Sequence, residues 1–375
     1  MPHMPMTDLA FSRISERDKM YCIEPTNSRI NPHCFLNYKR ILPYAHTGAC
    51  LTSKRVSRLW ANRSLYFRLI CKGLYKGISP VSLARTQFPF IFPTAAKPPG
   101  LHVELTNYCN LRCTYCPSPL NLRPKGWMEE KTFSRLVEQI RAVGIKRVYI
   151  IGNGEATLHP LFPEYVRKLA KSTRVISLTS NWQMIDKVIL RSILEAPLDI
   201  LNISLDGKDA QSYENSRLGG SFERLVDNLR ALRQFRQQKQ NRLMVNIRVL
   251  LRPSQASQKR EIFHFWREFA DNVAFQLVVD ENGIDADVYG IDVAEGCFPR
   301  CAHTFKQLNV HWDGHVPLCT YATRQADDPQ LAYLGNINTH SILQLWNHQL
   351  ILKYRNAHRK RINEDMPLCN GCIGC

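Results

Sequence analysis

"LHVELTNYCNLRCTYC" (residues 101–116) runs a short apolar, β-branched stretch straight into a loop holding Cys109, Cys113 and Cys116. Beyond it the pattern repeats without cysteines. Strand candidates follow at 147–152, 174–180, 200–205, 244–251 and 272–279. Helix-period stretches lie near 129–143, 161–172, 184–195, 221–238 and 257–270. Six strand–helix alternations predict a parallel sheet with helices outside it. A polar or glycine-bearing turn closes most of these strands: the cysteine loop, then "NGE" (153–155), Asn181 and "SLDG" (204–207). Arg248 lies within the fifth strand and Asp280 ends the sixth. An open sheet gathers its site in one crevice, whereas a barrel gathers it from many strand ends. Groups after at least four strands fit a partial (β/α)6 TIM-like barrel. From Cys297 the alternation stops and cysteines return, which marks a smaller, metal-organised module. The expected divisions are 1–100, a basic, partly helical extension; 101–285, the barrel core; and 286–375, the cysteine module.

The 375 residues are 44 % hydrophobic, ample for a core. No apolar run is long enough to span a bilayer, and the N-terminus lacks the apolar stretch of a signal peptide. A reducing compartment, the cytoplasm, is therefore expected. The net charge of +18 is uneven: residues 1–100 hold 15 Lys and Arg against 4 Asp and Glu. Such a segment is either a solvated appendage or a contact for an anionic partner. "RVSRLWANRSLYFRLICKGLYKG" (55–77) spaces apolar residues helically between basic ones. It reads as a helix docked on the main domain or as one facing an anionic surface. "FPFIFPTAAKPPG" (88–100) is a Pro-rich connector and the best boundary.

Thirteen cysteines are bunched, with none between 117 and 296. Clustered thiols in a reducing compartment point to metal ligands rather than disulfides. A structural zinc site wants four ligands, and the loop supplies three. A four-iron cube held by three thiolates leaves one iron open for a small molecule. "CNLRCTYC" (109–116), with the aromatic Tyr115 before its last cysteine, resembles the CxxxCxxC signature of the radical S-adenosylmethionine superfamily. "GNGEATLHP" (152–160) resembles that family's GGEP stretch, with Asn153 and Ala156 as departures. "TSN" (179–181) resembles its ribose-lining stretch, and "SLDG" (204–207) with "YENSRLGGSFERLVDNL" (213–229) its fourth-strand region. The resemblance covers about 101–280.

It implies a [4Fe–4S] cluster on Cys109, Cys113 and Cys116, whose open iron binds S-adenosylmethionine. Reductive cleavage of that cofactor then yields a 5′-deoxyadenosyl radical that abstracts hydrogen from a substrate C–H bond. The cofactor supplies the hard chemistry and the protein its placement. The same resemblance makes Tyr115, Gly154, Glu155, Asn181, Ser204, Asp206 and Arg217 cofactor-binding residues. Gly154 lets backbone approach the methionine moiety, Glu155 accepts from its ammonium, and Arg217 pairs with its carboxylate. An external electron donor such as flavodoxin or ferredoxin is implied.

"NVHWDGHVPLC" (309–319) predicts a hairpin about Asp313–Gly314. With "LGNI" and "LW" (334–346) and a closing CxxC, the segment resembles the SPASM and twitch extensions of that superfamily. Cys301, Cys319, Cys369 and Cys372 would then complete the shell of a second [4Fe–4S] cluster, with Cys297 and Cys375 as alternates. A structural zinc held by four cysteine thiolates is the other reading of this module. A fully ligated cluster offers no open iron, so its work is electron transfer. That favours an oxidised product, with Asp280 as a candidate base; a turn or cap aspartate is the plainer role. The expected substrate is a small hydroxyl-bearing metabolite such as an aminocyclitol or sugar. Oxidation or cross-linking of a peptide side chain is the alternative. A zinc protein binding nucleic acid through its basic N-terminus is more distant, because it leaves the barrel pattern and "GNGE" unexplained.

Overall fold

The structure, a computed structural model, describes residues 90, 94–116, 118, 123–195, 198–238, 243–251, 253–277, 301–319, 332–360 and 366–369. The basic stretch 55–77, Asp280, Cys297, Cys372 and Cys375 lie outside the described residues. All six expected strands are present, and every one is shorter than or equal to its sequence pattern except the fourth.

In chain order the described elements are β1 (Gly100–Val103), β2 (Arg112–Cys113), α1 (Glu130–Val143), β3 (Arg147–Ile150), α2 (Phe162–Ala170), β4 (Val175–Ser180) and α3 (Lys187–Glu195). Then come β5 (Ile200–Asp206), α4 (Ala210–Glu214), β6 (Arg217–Leu218), α5 (Phe222–Gln238), β7 (Met244–Leu251), α6 (Lys259–Trp266) and β8 (Asn272–Leu277). The C-terminal part adds α7 (His303–Lys306), β9 (Gln307–Val310), β10 (His315–Pro317), β11 (Tyr333–Asn336), α8 (Ile342–Trp346) and α9 (Gln349–Lys360). Among the described residues seven strands form one parallel sheet in the order β8-β7-β5-β4-β3-β1-β9.

Alternation along each strand decides the two faces. Leu101 and Val103, Val148 and Ile150, Leu201, Ile203 and Leu205, and Val245, Ile247 and Val249 are sealed from solvent in one core with the helices. On α1 the buried Phe133, Leu136, Val137 and Ile140 recur at three- and four-residue spacing and meet that face. The helix stops at Gly144, whose φ of 68° is the left-handed value a C-terminal cap requires. The Ile145 N–H closes that cap on the Ile140 carbonyl, and Ile145 is itself buried.

The opposite face is polar: His102, Tyr149, Thr179, Asn202, Ser204, Asn246 and Arg248. Asn202 bridges to Ser177 Oγ at 2.9 Å and accepts from Asn246 Nδ2 at 3.2 Å. That face curls inward. Four strand spacings separate β7 from β1, about 19 Å if flat, a separation at which screening removes most of a charge's effect. Yet the Arg248 charge acts on His102, after burial and His303, to hold the imidazole pKa down at about 3.

Two sequence expectations change here. The Asp313–Gly314 turn forms, with Gly314 at φ 84°, but its two arms do not make a simple hairpin. β9 pairs in parallel with β1, and β10 pairs antiparallel with β11. The unpaired edge of β1 offers β9 a full ladder, which a three-residue return strand cannot match. The C-terminal module thus continues the barrel sheet. It also docks on α1, where Gln139 donates to the Ile337 carbonyl at 2.8 Å and accepts from the Ile342 N–H at 2.6 Å.

Candidate active site

The cysteine loop leaves β1 and is tied down at both ends. The Thr106 hydroxyl donates to the Gly126 carbonyl at 2.7 Å, and Asn107 bonds Gly126 N and the Pro124 carbonyl, both at 2.8 Å. Further on, Arg112 and Cys113 form a two-residue antiparallel ladder with Leu218 and Arg217. The Thr114 N–H extends it to the Ser216 carbonyl at 2.9 Å. Cys109 is exposed, and Cys113 and Cys116 are half-buried. Burial raises the half-buried Cys113 thiol, the Arg217 charge acting against that shift.

Beneath the loop lies a buried network. Asp206, at the end of β5, accepts from Tyr115 Oη at 2.9 Å and Ser216 Oγ at 2.6 Å on Oδ2, and from Arg217 Nη2 at 3.1 Å on Oδ1. Both members of the ion pair are about 5 % exposed or less. Burial opposes the Arg217 charge, but Asp206 outweighs it and the guanidinium stays protonated. Asp206, expected to face the cofactor, has its oxygens bonded to Arg217, Ser216 and Tyr115. Arg217, expected to meet the methionine carboxylate, gives Nη2 to Asp206, and among the described residues its buried Nε lacks a partner. Tyr115 lies in the same network, with Arg217 5.8 Å from its ring centroid.

Glu155 is also more enclosed than its motif suggested. Oε1 accepts from Thr157 N, Thr157 Oγ1 and Ser180 Oγ, and Oε2 from Asn181 N at 2.7 Å. Its own N–H donates to the Tyr108 carbonyl at 2.8 Å. The carboxylate therefore joins the ends of β3 and β4 to the cysteine loop, and Oε2 alone keeps capacity for another donor. Gly154 is required by the protein itself: a Cβ would fall on the Thr106 and Tyr108 carbonyl oxygens. Two loops meet closely at this glycine.

Asn181 is tied to the cysteine loop. Its Nδ2 donates to Asn110 Oδ1 at 2.9 Å and lies 3.8 Å from Cys109 Sγ. The turn that aims it is strained. Trp182 is fully buried at φ 61°, a region that bulky residues seldom occupy. Asn228 Nδ2 holds that turn through the Trp182 and Gln183 carbonyls at 3.0 and 3.1 Å. Ser204 is half-buried on the inner face, opposite Arg248 in register.

In the C-terminal module Cys301, Cys319 and Cys369 border one face of α9. His358 Nδ1 accepts from the Cys301 N–H at 3.4 Å. Four residues earlier, Tyr354 accepts from the Leu368 N–H at 3.2 Å, and its hydroxyl senses both Cys369 and Cys319. Residues i and i+4 share a helix face, so the three thiols line one side of α9.

The donor sets fit iron–sulfur clusters. Three thiols on one pinned loop, with a cation and an amide aimed at them, suit a cube held at three corners. Sequence reasoning missed Ser180, Thr157 and Ser216, which fasten the acidic groups, and the buried Glu104–Arg123 pair at 2.9 Å.

Residues 103–253 match the family model of the radical SAM superfamily, and 301–373 that of an iron–sulfur cluster-binding domain, SPASM. GTP 3′,8-cyclase of Chlorobaculum tepidum is 31 % identical over 128 residues, 33 % of this chain and 38 % of that one. PqqA peptide cyclase of Granulibacter bethesdensis is 27 % identical over 129 residues, 34 % of this chain and 33 % of that one. The chain thus spans well under half the length of these two relatives. Native anSMEcpe with bound AdoMet superposes with a TM-score of 0.54 at 17 % identity, covering 72 % of this chain and 87 % of that one. At that identity the likeness is one of fold.

Proposed function

From a chain that belongs to the radical S-adenosylmethionine superfamily and ends in a SPASM domain, we propose an enzyme that oxidises a substrate C–H bond by two electrons. A [4Fe–4S] cluster with S-adenosylmethionine, when bound, supplies the hydrogen-abstracting radical. Cys109, Cys113 and Cys116 hold that cluster. Tyr115, Ser216, Arg217 and Asp206 fix the loop that carries them. Glu155 sets the two neighbouring strand ends at the right height, and Asn181 offers its amide to Cys109. Ser204, Gly154 and the free lone pair of Glu155 border the space left for the cofactor.

One observation carries the oxidative reading. A second thiol set, Cys301, Cys319 and Cys369, borders one side of α9 in a module that continues the barrel sheet. With Cys372, and Cys297 and Cys375 as alternates, these thiols would hold a second cluster, which would supply an electron acceptor for the oxidation. Asp280 takes the proton. The favoured substrate is a small hydroxyl-bearing molecule, oxidised to a ketone. An external flavodoxin or ferredoxin delivers the first electron. The match to a PqqA peptide cyclase favours a second reading, in which a peptide side chain is the substrate.

Anaerobic reconstitution tests both cluster assignments. About seven to eight irons per chain and dithionite-dependent 5′-deoxyadenosine are expected. Stoichiometric zinc without cofactor cleavage would sink the proposal.

A further inference from the structure

The inner face of the barrel carries two acidic side chains whose partners the structure identifies, and both are neutralised. Asp206 belongs to Arg217 and Glu104 to Arg123, each pair nearly closed to solvent. The basic side chains of that face are not balanced in return. Among the described residues Arg248 has neither an ion-pair nor a hydrogen-bond partner, and only desolvation acts on it. Arg147, on the same face at the start of β3, is 8 % exposed, and its Nε and Nη2 are unpartnered among the described residues. Arg248 is half-buried, and a partly desolvated cation without a protein partner carries a cost, to which the unpaired nitrogens of Arg147 add. Such a cost persists where a ligand offsets it.

The position of Arg248 separates it from the cofactor end. Its strand neighbours are Ser204 on β5 and Ala274 on β8, below the strand tips. At the tips the acting cation is Arg217, whose charge reaches Cys113, Tyr115 and Tyr213. The Arg248 charge instead reaches His102, across the curl of the sheet. His102 is hydrogen-bonded to Gln307, and Gln307 to His303, at 3.2 and 3.3 Å. Burial and His303 hold His102 neutral, so it adds no competing positive charge and can share a hydrogen bond with a ligand.

We propose that Arg248 receives an anionic oxygen group of the substrate, a carboxylate or a phosphate, on the inner face beneath the cofactor. This rests on the oxidative reading above and narrows it: the substrate is an acidic hydroxyl compound, and an aminocyclitol is set aside. Guanidinium pairs with both oxyanions through parallel N–H···O bonds, so the fork also orients the C–H bond that lies above it.

The test uses reconstituted holoenzyme and phenylglyoxal, with modified Arg248 counted by peptide mass spectrometry. Only the unliganded fraction reacts, so a probe at about nine times its Kd slows modification about tenfold. Inorganic phosphate, succinate and glycerol are the probes. Protection by phosphate identifies a phosphorylated substrate, protection by succinate a carboxylate, and glycerol protects nothing. R248K binds the protecting anion more weakly by calorimetry, keeping the charge without the fork, and R248M loses it. The proposal is overturned if neither anion slows the reaction, if glycerol slows it equally, or if S-adenosylmethionine alone does so. Absence of 5′-deoxyadenosine from the same preparation would defeat the functional reading while leaving the anion result standing.

Discussion

Cys113 stands opposite Arg217 in the ladder that joins β2 to β6. The second cluster cysteine and the buried cation of the site are therefore fixed by the same two backbone pairs. Arg217 is fixed again through Asp206, which also holds Tyr115 and Ser216. The loop that must present three thiolates is thus built on a buried charge pair.

Removing one partner of that pair strands the other. R217M is expected to destabilise the protein by about 3–5 kcal/mol, the usual cost of a buried charge left alone. D206N/R217M leaves no uncompensated charge and is expected to be more stable than R217M. Thermal denaturation measures both, and iron content follows the same order. Equal stability of the single and double variants would contradict the network.

The two thiol sets separate by readout. C113A is expected to lose iron and to abolish 5′-deoxyadenosine formation. C319A is expected to keep cofactor cleavage measurable while product formation falls. Electron paramagnetic resonance of the reduced protein then shows one signal lost in each variant. Unchanged product formation in C319A would remove the electron-transfer role of the second set.

Gly154 tests the contact between loops. A Cβ there meets two carbonyl oxygens of the strand-to-cysteine connection. G154A is expected to displace the cysteine loop, reduce iron content and lower the melting temperature. The neighbouring departure from the family pattern, Asn153, carries no such clash, so N153G is expected to leave both unchanged.

Much of this was legible in the sequence, and the parts that were not share a cause. The sheet showed itself because Leu101/Val103, Val148/Ile150 and Val245/Ile247/Val249 repeat with period two against helix-period stretches. β2 and β6 have two residues each, too few to show any period, yet they set the geometry of Cys113. β9 pairs with β1 two hundred residues away, a tertiary choice that local pattern does not contain. Motif spacing identified Glu155, Asp206 and Arg217 as site residues. It could not say that Asp206 is consumed by Arg217, because that depends on how the chain returns after β5. Arg248 was visible as a charged residue in an apolar strand, but that it has no partner among the described residues is a fact of three dimensions.

Asn181 gives a spectroscopic prediction. Hydrogen bonds to cluster sulfurs help set the reduction potential. N181L removes the amide near Cys109 Sγ, and the potential of the first cluster is expected to become more negative. Spectroelectrochemical titration measures it independently of turnover. A potential equal to that of the parent protein would show that the amide serves Asn110 alone.

Acid stability reports the polar inner face. Burial holds His102 near 3 and His303 and His311 near 4, below the ordinary value of 6.5. Between about pH 6.5 and 4 the unfolded chain binds protons that the folded protein refuses. Stability is therefore full above pH 6.5 and is lost as the pH falls through that window. Each histidine contributes a slope of up to about 1.4 kcal/mol per pH unit. Clusters are acid-labile, so the comparison is between variants rather than between pH values. H303Q and H311Q are each expected to flatten the pH dependence of the urea midpoint between pH 6.5 and 4. A pH dependence in both variants identical to that of the parent protein would place the acid sensitivity elsewhere than in these buried imidazoles.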